Sequence, residues 1–261
     1  MTFRYEKSDG VGVITLDNPP VNVLTPQLHK DLFEILKDFY SDPEVRVGIW
    51  TAAGERAFCA GDDVKTVRPP KTTAEIVERH LAVRRETDEP DYPGWEGEIF
   101  RLQRTKPIIA AVNGVCLGQG MLYLLLMTDL RIASSTARFG LPEIGYGMPG
   151  GSAATRLGRQ IPQVSALYLA LTGDPMDAEE ARRCFLINEV VAPERLLERA
   201  HEIAARIIRH PAIAVRAELE AYYRAQDMSR DDALAFTTHL YQLVRATFDS
   251  TPPLAKSKAS S

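Results

Sequence analysis

Three short segments of this 261-residue sequence combine small residues with groups that can stabilise or move charge. They are residues 56–64 (RAFCAGDDV), residues 113–120 (NGVCLGQG) and residues 139–151 (FGLPEIGYGMPGG). Glycine and alanine let a backbone turn sharply and approach a ligand closely. The second segment leads into an apolar helix, and the first N–H groups of a helix have no partner within it. The segments therefore predict a place where backbone N–H donors meet a ligand.

This arrangement of backbone donors would serve chemistry at a carbonyl group. Two backbone N–H donors aimed at one carbonyl oxygen stabilise a developing oxyanion, and the dipole of the second segment's helix acts in the same direction. The third segment adds Glu143, a lone carboxylate among apolar and small residues. Such surroundings raise the pKa of a glutamate towards neutrality, so Glu143 is the candidate acid/base group.

The elements that must position these segments alternate between β and α patterns. Residues 3–7 and 11–16 flank an Asp-Gly turn and predict a β-hairpin. Thr25 followed by Pro26 predicts the start of a helix. Further strands are predicted at 45–51, 107–112, 115–117, 130–133, 137–139 and 189–191. Further helices are predicted at 74–85, 95–104, 152–160, 164–171, 178–183, 193–209, 211–226 and 229–248. The pattern indicates an α/β fold with a helical last third.

Composition predicts one continuous globule. The chain is 45% hydrophobic and 25% charged, which is ordinary globular usage. Nothing in the first 200 residues resembles a linker. The formal charge of −4 and the absence of a long Lys/Arg run argue against nucleic acid as a partner.

Other features bear on location. The longest apolar stretch, Met121–Met127, is far shorter than the roughly 20 residues that span a bilayer, so no membrane partner is expected. The first ten residues lack the apolar core of a signal peptide. Three cysteines without metal-ligand spacing predict no disulfide framework and fit a reducing compartment. We therefore expect a cytoplasmic protein.

In their order and spacing, the three segments resemble the crotonase (enoyl-CoA hydratase/isomerase) superfamily, and the resemblance covers residues 3–245. It implies a spiral of ββα units over residues 1–195 and a helical oligomerisation region over 196–250. The composition of residues 251–261, rich in proline, lysine and serine, predicts a disordered tail. The resemblance also implies an acyl-CoA thioester substrate, a homotrimer or a dimer of trimers, and no metal. No separate cofactor is expected, because coenzyme A is part of the substrate.

The resemblance carries roles to individual positions. Asp62 and Gln119 match the residues whose backbone N–H groups form the oxyanion hole, and Glu143 matches a catalytic acid/base. The resemblance also implies a set of substrate-binding positions, which are Val23, Ala60, Asp63, Lys65, Leu117, Gly118 and Tyr146. Among these, Lys65 would be a phosphate partner and Tyr146 a catalytic helper. Tyr123 is a second candidate helper.

Three departures from the family pattern leave the reaction open. Leu122 stands where family hydratases carry a second acidic residue, Gln119 replaces a usual glycine, and residues 248–253 lack the charged stretch that often covers the adenine. A single glutamate resembles the isomerase branch, although hydratases with one matching carboxylate exist. The alternatives are a lyase or hydrolase acting on a β-keto or β-hydroxy thioester, a catalytically silent acyl-CoA-binding protein, and an RNA binder.

Several plainer interpretations also follow from the residues. The second segment lacks the third glycine of a dinucleotide fingerprint. Residues 150–154 fail the spacing of a nucleophile elbow. Cys59 and Cys116 are predicted to fill tight core positions. All five histidines, at 29, 80, 201, 210 and 239, lie in charged helical stretches and are predicted at the surface.

Overall fold

The computed structural model describes residues 2–65, 70–81, 94–151 and 156–247. The chain opens with the predicted hairpin, in which β1 (Thr2–Ser8) pairs antiparallel with β2 (Val11–Asp17). Asp9 and Gly10 both have positive φ, at 50° and 77°. This is the conformation that a two-residue hairpin turn requires, which explains the Asp-Gly pair.

Helix α1 (Pro26–Ser41) begins where the sequence predicts. The Thr25 side chain accepts a hydrogen bond from the N–H of Leu28 at 3.2 Å, and Pro26 occupies the first helical turn. One face of the helix is buried, and that face includes His29 between the apolar residues Leu28 and Leu32. The prediction of a surface position for His29 is therefore wrong.

The remaining elements follow in chain order. The strands are β3 (Val47–Ala52), β4 (Ala57–Cys59), β5 (Ile108–Val112), β6 (Val115–Leu117), β7 (Leu130–Ser134), β8 (Arg138–Gly140), β9 (Met176–Asp177) and β10 (Glu189–Val191). The helices are α2 (Thr73–Leu81), α3 (Trp95–Arg101), α4 (Gln119–Met127), α5 (Gln163–Thr172), α6 (Ala178–Arg183), α7 (Leu196–Ile208), α8 (Ala212–Ala225) and α9 (Arg230–Arg245). Two 3₁₀ turns lie at Pro142–Tyr146 and Pro193–Arg195.

Successive units send one strand to each of two sheets. The larger sheet has the order β1-β2-β3-β5-β7-β10 and the smaller one the order β4-β6-β8-β9. Apart from β1 with β2 and β8 with β9, the pairs are parallel. From β3 to β8, each unit thus contributes a strand to the first sheet, a strand to the second and then helical structure, whereas β9 and β10 enter the two sheets in the reverse order on either side of α6. The predicted α/β spiral of ββα units is confirmed.

The larger sheet is covered on both faces, as a parallel sheet requires. On β3, Val47 and Ile49 pack in a cluster with Ala200 and Ala204 of α7, whereas Trp50 belongs to the main core on the other face. Alternate strand residues point to opposite faces, so this division follows from the period of a strand.

Helix α8 is tied to the body by a polar cluster. The carboxylate of Asp129 forms an ion pair with Arg104 and accepts hydrogen bonds from the Tyr223 hydroxyl and the Ile108 N–H, both at 2.7 Å. All three donors converge on one partly buried acid. Tyr223 is the donor that belongs to α8, so the cluster holds this helix to the body through directional polar contacts. The structure thus contains a helical C-terminal region. The domain boundaries at residues 195, 196 and 250 remain predictions.

Some predicted elements differ or lie outside the described residues. Helix α3 ends at Arg101 instead of residue 104, because Leu102 adopts an extended ψ of 132°. The ends of the helices predicted at 74–85, 152–160 and 229–248, and the tail from 251, lie outside the described residues. Across the described part of the chain, no helix has the length and apolar character to cross a membrane.

Candidate active site

The first and second segments touch through their glycines. Gly61 has a φ of 100° and Gly118 a φ of 53°, conformations that favour glycine. A methyl group built on Gly61 would lie 3.4 Å from the carbonyl oxygen of Leu117 and 3.7 Å from the backbone nitrogen of Gln119. The positive φ values of these two glycines thus bring the backbone after β4 against the start of α4.

The backbone nitrogens of Asp62 and Gln119 are set by neighbouring bonds. Leu24 donates its N–H to the carbonyl of Gly61 at 2.9 Å and accepts from the N–H of Asp63 at 2.8 Å. In a parallel bridge of this kind, the N–H of the intervening residue points away from the partner strand. The N–H of Asp62 thus points away from Leu24. Gln119 opens α4, so helix geometry gives its N–H no partner within that helix.

Glu143 comes from the third segment and reaches the same place. A methyl group on Gly118 would lie 3.4 Å from Oε1 of Glu143 and 3.7 Å from the Cα of Gly61. The other carboxylate oxygen, Oε2, is buried and has no hydrogen-bond partner among the described residues. Burial, followed by the nearby charge of Asp62, raises the pKa of Glu143. The structure brings together the three segments that the sequence singled out.

A buried polar cluster lies under this junction. His29 is completely buried, and its Nε2 lies 3.0 Å from Oδ1 of Asp62. Its Nδ1 lies 2.6 Å from the hydroxyl of Tyr123, which is also buried. Burial, followed by the charge of Glu96, raises the pKa of Tyr123 well above its ordinary value. His29 and Glu96 are polar residues of this site that sequence reasoning missed.

The other predicted binding residues occupy varied positions. Val23, Ala60 and Leu117 are partly buried beside the junction, and Asp63 is partly buried and accepts the N–H of Lys65 at 2.9 Å. Lys65 itself is exposed. Tyr146 ends the 3₁₀ turn that carries Glu143 and is 72% exposed. Its roles as helper and binding residue remain predictions.

One of the cysteines lies close to the junction. Cys59 is buried just before the first segment's glycine, and burial raises its pKa to about 12, so its thiol stays protonated near neutral pH.

A cavity of about 1310 Å³ opens between α8 and the body, with Arg104, Asp129 and Tyr223 in its walls. The described lining of that cavity includes neither Asp62 nor Glu143, so it is separate from the junction.

Comparison with known proteins agrees with this architecture. A family model described as enoyl-CoA hydratase/isomerase matches residues 6–252. The chain is 36% identical to (E)-benzylidenesuccinyl-CoA hydratase of Thauera aromatica, over 95% of this chain and 93% of the relative. It is 35% identical to short-chain-enoyl-CoA hydratase of Clostridium acetobutylicum, over 90% and 86%.

A solved structure extends the likeness to the fold. The crystal structure of an enoyl-CoA hydratase from Bacillus anthracis superimposes with a TM-score of 0.83 at 30% identity, covering 99% of this chain and 96% of that one. The chain belongs to the crotonase (enoyl-CoA hydratase/isomerase) superfamily and is an enzyme of that family.

Proposed function

We propose that this protein adds water to the double bond of a 2-enoyl-CoA thioester, or removes it in the reverse direction. The observation that carries the proposal is the close approach of the three segments that contain Asp62, Gln119 and Glu143. The thioester oxygen binds the N–H groups of Asp62 and Gln119, which stabilise the enolate that forms when water attacks. Glu143 transfers the proton at the carbon next to the thioester.

The environment of Glu143 supports this role. An efficient acid/base group has a pKa close to the working pH, and burial moves the pKa of Glu143 upward in that direction. Two relatives that match this chain over most of their length, the hydratases of Thauera aromatica and Clostridium acetobutylicum, are named after CoA substrates, which supports an acyl-CoA substrate. Coenzyme A enters with the substrate, so the reaction needs no separate cofactor.

Isomerisation is the second candidate, and the observation that favours it is the leucine at position 122. Moving a double bond needs one base that takes a proton from one carbon and returns it to another, a task that Glu143 can perform alone. Hydration also has to position a water molecule at the far carbon of the double bond.

A pair of substrates separates these reactions. We expect crotonyl-CoA to lose the ultraviolet absorbance of its conjugated thioester as water adds, with 3-hydroxybutyryl-CoA identified as the product by mass spectrometry. A 3-enoyl-CoA that gains this absorbance would instead identify an isomerase. Release of free coenzyme A would identify a hydrolase, and tight CoA binding without turnover a silent binder. The last two outcomes contradict the proposal.

We also propose a homotrimer or a dimer of trimers in the cytoplasm. Helix α5 exposes Val164, Leu167, Tyr168 and Leu171 at the spacing of one helix face. In α8 and α9 together, Val244 is the one residue buried among the described residues. Apolar helix faces without cover are typical of subunit contacts. Three free cysteines suit a reducing compartment.

The α5 face gives a test of the assembly. Sedimentation equilibrium should yield three or six times the 29.0 kDa chain mass. Tyr168→Asp places a charge on the apolar face and should lower that mass, because an unpaired charge is costly to bury at an interface. Gln163→Glu adds the same charge to the same helix beside that face and should leave the mass unchanged. A monomeric wild-type protein would contradict the proposal.

A further inference from the structure

We infer that the side chain of Asp62, held in place by His29, is the second acid/base carboxylate of this site and activates the water that adds to the double bond. The inference rests on the proposed acyl-CoA function and narrows it to hydration and its reverse. It assigns two tasks to one residue. The backbone N–H of Asp62 binds the thioester oxygen, and its carboxylate binds water.

Asp62 is placed to reach both the interior and the site. Its side chain is 26% exposed, whereas the side chain of His29 behind it is fully buried. One carboxylate oxygen, Oδ1, is therefore anchored inward at 3.0 Å from Nε2 of His29. Glu143 lies close by, because a methyl group on Gly118 would lie 3.4 Å from its Oε1 and 3.7 Å from the Cα of Gly61, the residue before Asp62.

The buried cluster of His29, Asp62 and Tyr123 lies next to the position at which family hydratases carry a second acidic residue. The resemblance to the superfamily places the second acidic residue of hydratases on α4, at the position of Leu122. The next residue on that helix, Tyr123, contacts His29, and His29 contacts Asp62. The carboxylate of Asp62 is thus linked through His29 to the side chain of Tyr123, the residue that follows the position of the missing acid.

The hydrogen bonds give His29 a defined role. Because the pKa of Tyr123 lies well above its ordinary value, its hydroxyl stays protonated and can donate to Nδ1 of His29. The Asp62 carboxylate can only accept, so the ring nitrogen that faces it, Nε2, is the donor, and Nδ1 is left to accept from Tyr123. This tautomer fixes the direction of the Asp62 carboxylate. His29 is a positioning residue, since it is buried and acts on the water through Asp62.

The proton balance requires both acids. Water oxygen bonds to C3, the electrons of the C2–C3 double bond move towards the thioester oxygen, and the Asp62 carboxylate takes one proton from the water. Glu143 in its protonated form gives a proton to C2 as the enolate collapses. The product has gained one hydrogen and one hydroxyl group. Exchange with solvent then returns Asp62 to its carboxylate and Glu143 to its acid form.

Two reactions of the same enzyme separate the roles of the acids. Exchange of the C2 protons of butyryl-CoA in D₂O needs the oxyanion site and Glu143 but no water at C3. We expect Asp62→Ala, which retains the backbone N–H, to lower the hydration of crotonyl-CoA by roughly 10²–10⁴-fold. C2 exchange should stay within about fivefold of wild type, because Asp62→Ala keeps the N–H that binds the thioester oxygen and leaves Glu143 in place. Asp231→Asn, at a carboxylate that is 91% exposed, is the control.

Each outcome decides between explanations. Hydration by Asp62→Ala at the wild-type rate overturns the inference and leaves the proposed function intact. Loss of both hydration and C2 exchange in a folded variant also overturns it, because Asp62 would then act on the oxyanion site alone. A wild-type protein inactive in both assays would instead sink the proposed function. If circular dichroism shows Asp62→Ala unfolded, Asp62→Asn, which is closer in size, replaces it.

Variants of His29 test the positioning role. His29→Gln retains a donor close to the Nε2 position, whereas His29→Leu suits the apolar face of α1 but donates nothing. We expect His29→Leu to lower kcat for hydration at least about tenfold with KM little changed, and His29→Gln to recover most of that loss. Equal activities of the two variants would show that His29 only fills space. His239→Gln, at an exposed histidine of α9, is the control.

A metal ion is the competing explanation for this cluster. Ligand atoms of His29, Asp62 and Glu96 all lie within 4.8 Å of one another. Bound metal would occupy Nε2 and break its hydrogen bond to Asp62. We therefore expect hydration to be unchanged after dialysis against EDTA. Loss of hydration on dialysis, with recovery on adding Zn²⁺ or Mn²⁺, would overturn the hydrogen-bonded arrangement proposed here.

Discussion

Glu143→Gln is expected to lower kcat for crotonyl-CoA by about 10³-fold or more, because glutamine has the shape of glutamate but cannot transfer a proton at C2. Affinity for coenzyme A should stay within a few-fold, since Glu143 lies beside Gly118 at the reacting end of the proposed site. C2 exchange of butyryl-CoA should be lost together with hydration. This joint loss distinguishes Glu143 from Asp62, whose removal is expected to affect hydration alone.

The same substitution should stabilise the folded protein at neutral pH. Burial raises the pKa of Glu143, so its ionisation costs more in the folded chain than in the unfolded one. The stability linked to this group is fully present below its unfolded pKa of about 4.3 and is lost as the pH rises through the folded value. We expect a higher melting temperature for Glu143→Gln than for wild type at pH 7, and a smaller difference at pH 4.

Glu194 offers a matched control. It also follows a proline in a 3₁₀ turn, Pro193–Arg195, but it is exposed. Glu194→Gln should change neither kcat nor the melting temperature. A Glu143→Gln variant with wild-type turnover would remove Glu143 from the acid/base role, and a stability change that is the same at both pH values would contradict its buried, ionisable state.

Features that depend on a few neighbouring residues could be predicted from the sequence. Local signals were sufficient for the hairpin turn at Asp9-Gly10, for the capped start of α1, and for the small residues of the three segments. Each of these depends on the conformational limits of a few neighbouring residues. That is why the order of strands and helices, and the chemical character of each loop, could be read before the fold was known.

His29 depended on contacts that are distant in sequence. Its partners, Asp62 and Tyr123, lie 33 and 94 residues away. A local signal did exist, because His29 is three and seven residues from the buried Leu32 and Leu36 and so shares their face of α1. The number of charged residues on the helix outweighed that spacing. Glu96 differs, because it is buried at the start of a short helix and no local pattern marks it.

Gly120→Ala is expected to damage both catalysis and stability, because the position has no room for a side chain. A methyl group there would lie 2.6 Å from the carbonyl oxygen and 2.8 Å from the Cβ of Cys59. Contacts this short with a strand backbone force the start of α4 away from β4. Ala60 and Gly61 lead from this strand to Asp62, and Gln119 is the residue just before Gly120. The displacement therefore separates the two N–H groups of the proposed oxyanion hole.

The expected loss follows from the energy of one such donor. Removing a single oxyanion donor typically lowers kcat by about 10²–10³-fold, and we expect a decrease of that order in both hydration and C2 exchange. Overpacking should also lower the free energy of unfolding by about 1–3 kcal/mol, as measured by urea denaturation at fixed protein concentration. Gly158→Ala is the control, since a methyl group there meets no atom within 4 Å. If Gly120→Ala became less stable yet kept its wild-type kcat, the close approach of the two segments would serve folding alone. A group other than the backbone N–H groups of Asp62 and Gln119 would then have to stabilise the thioester oxygen of the substrate.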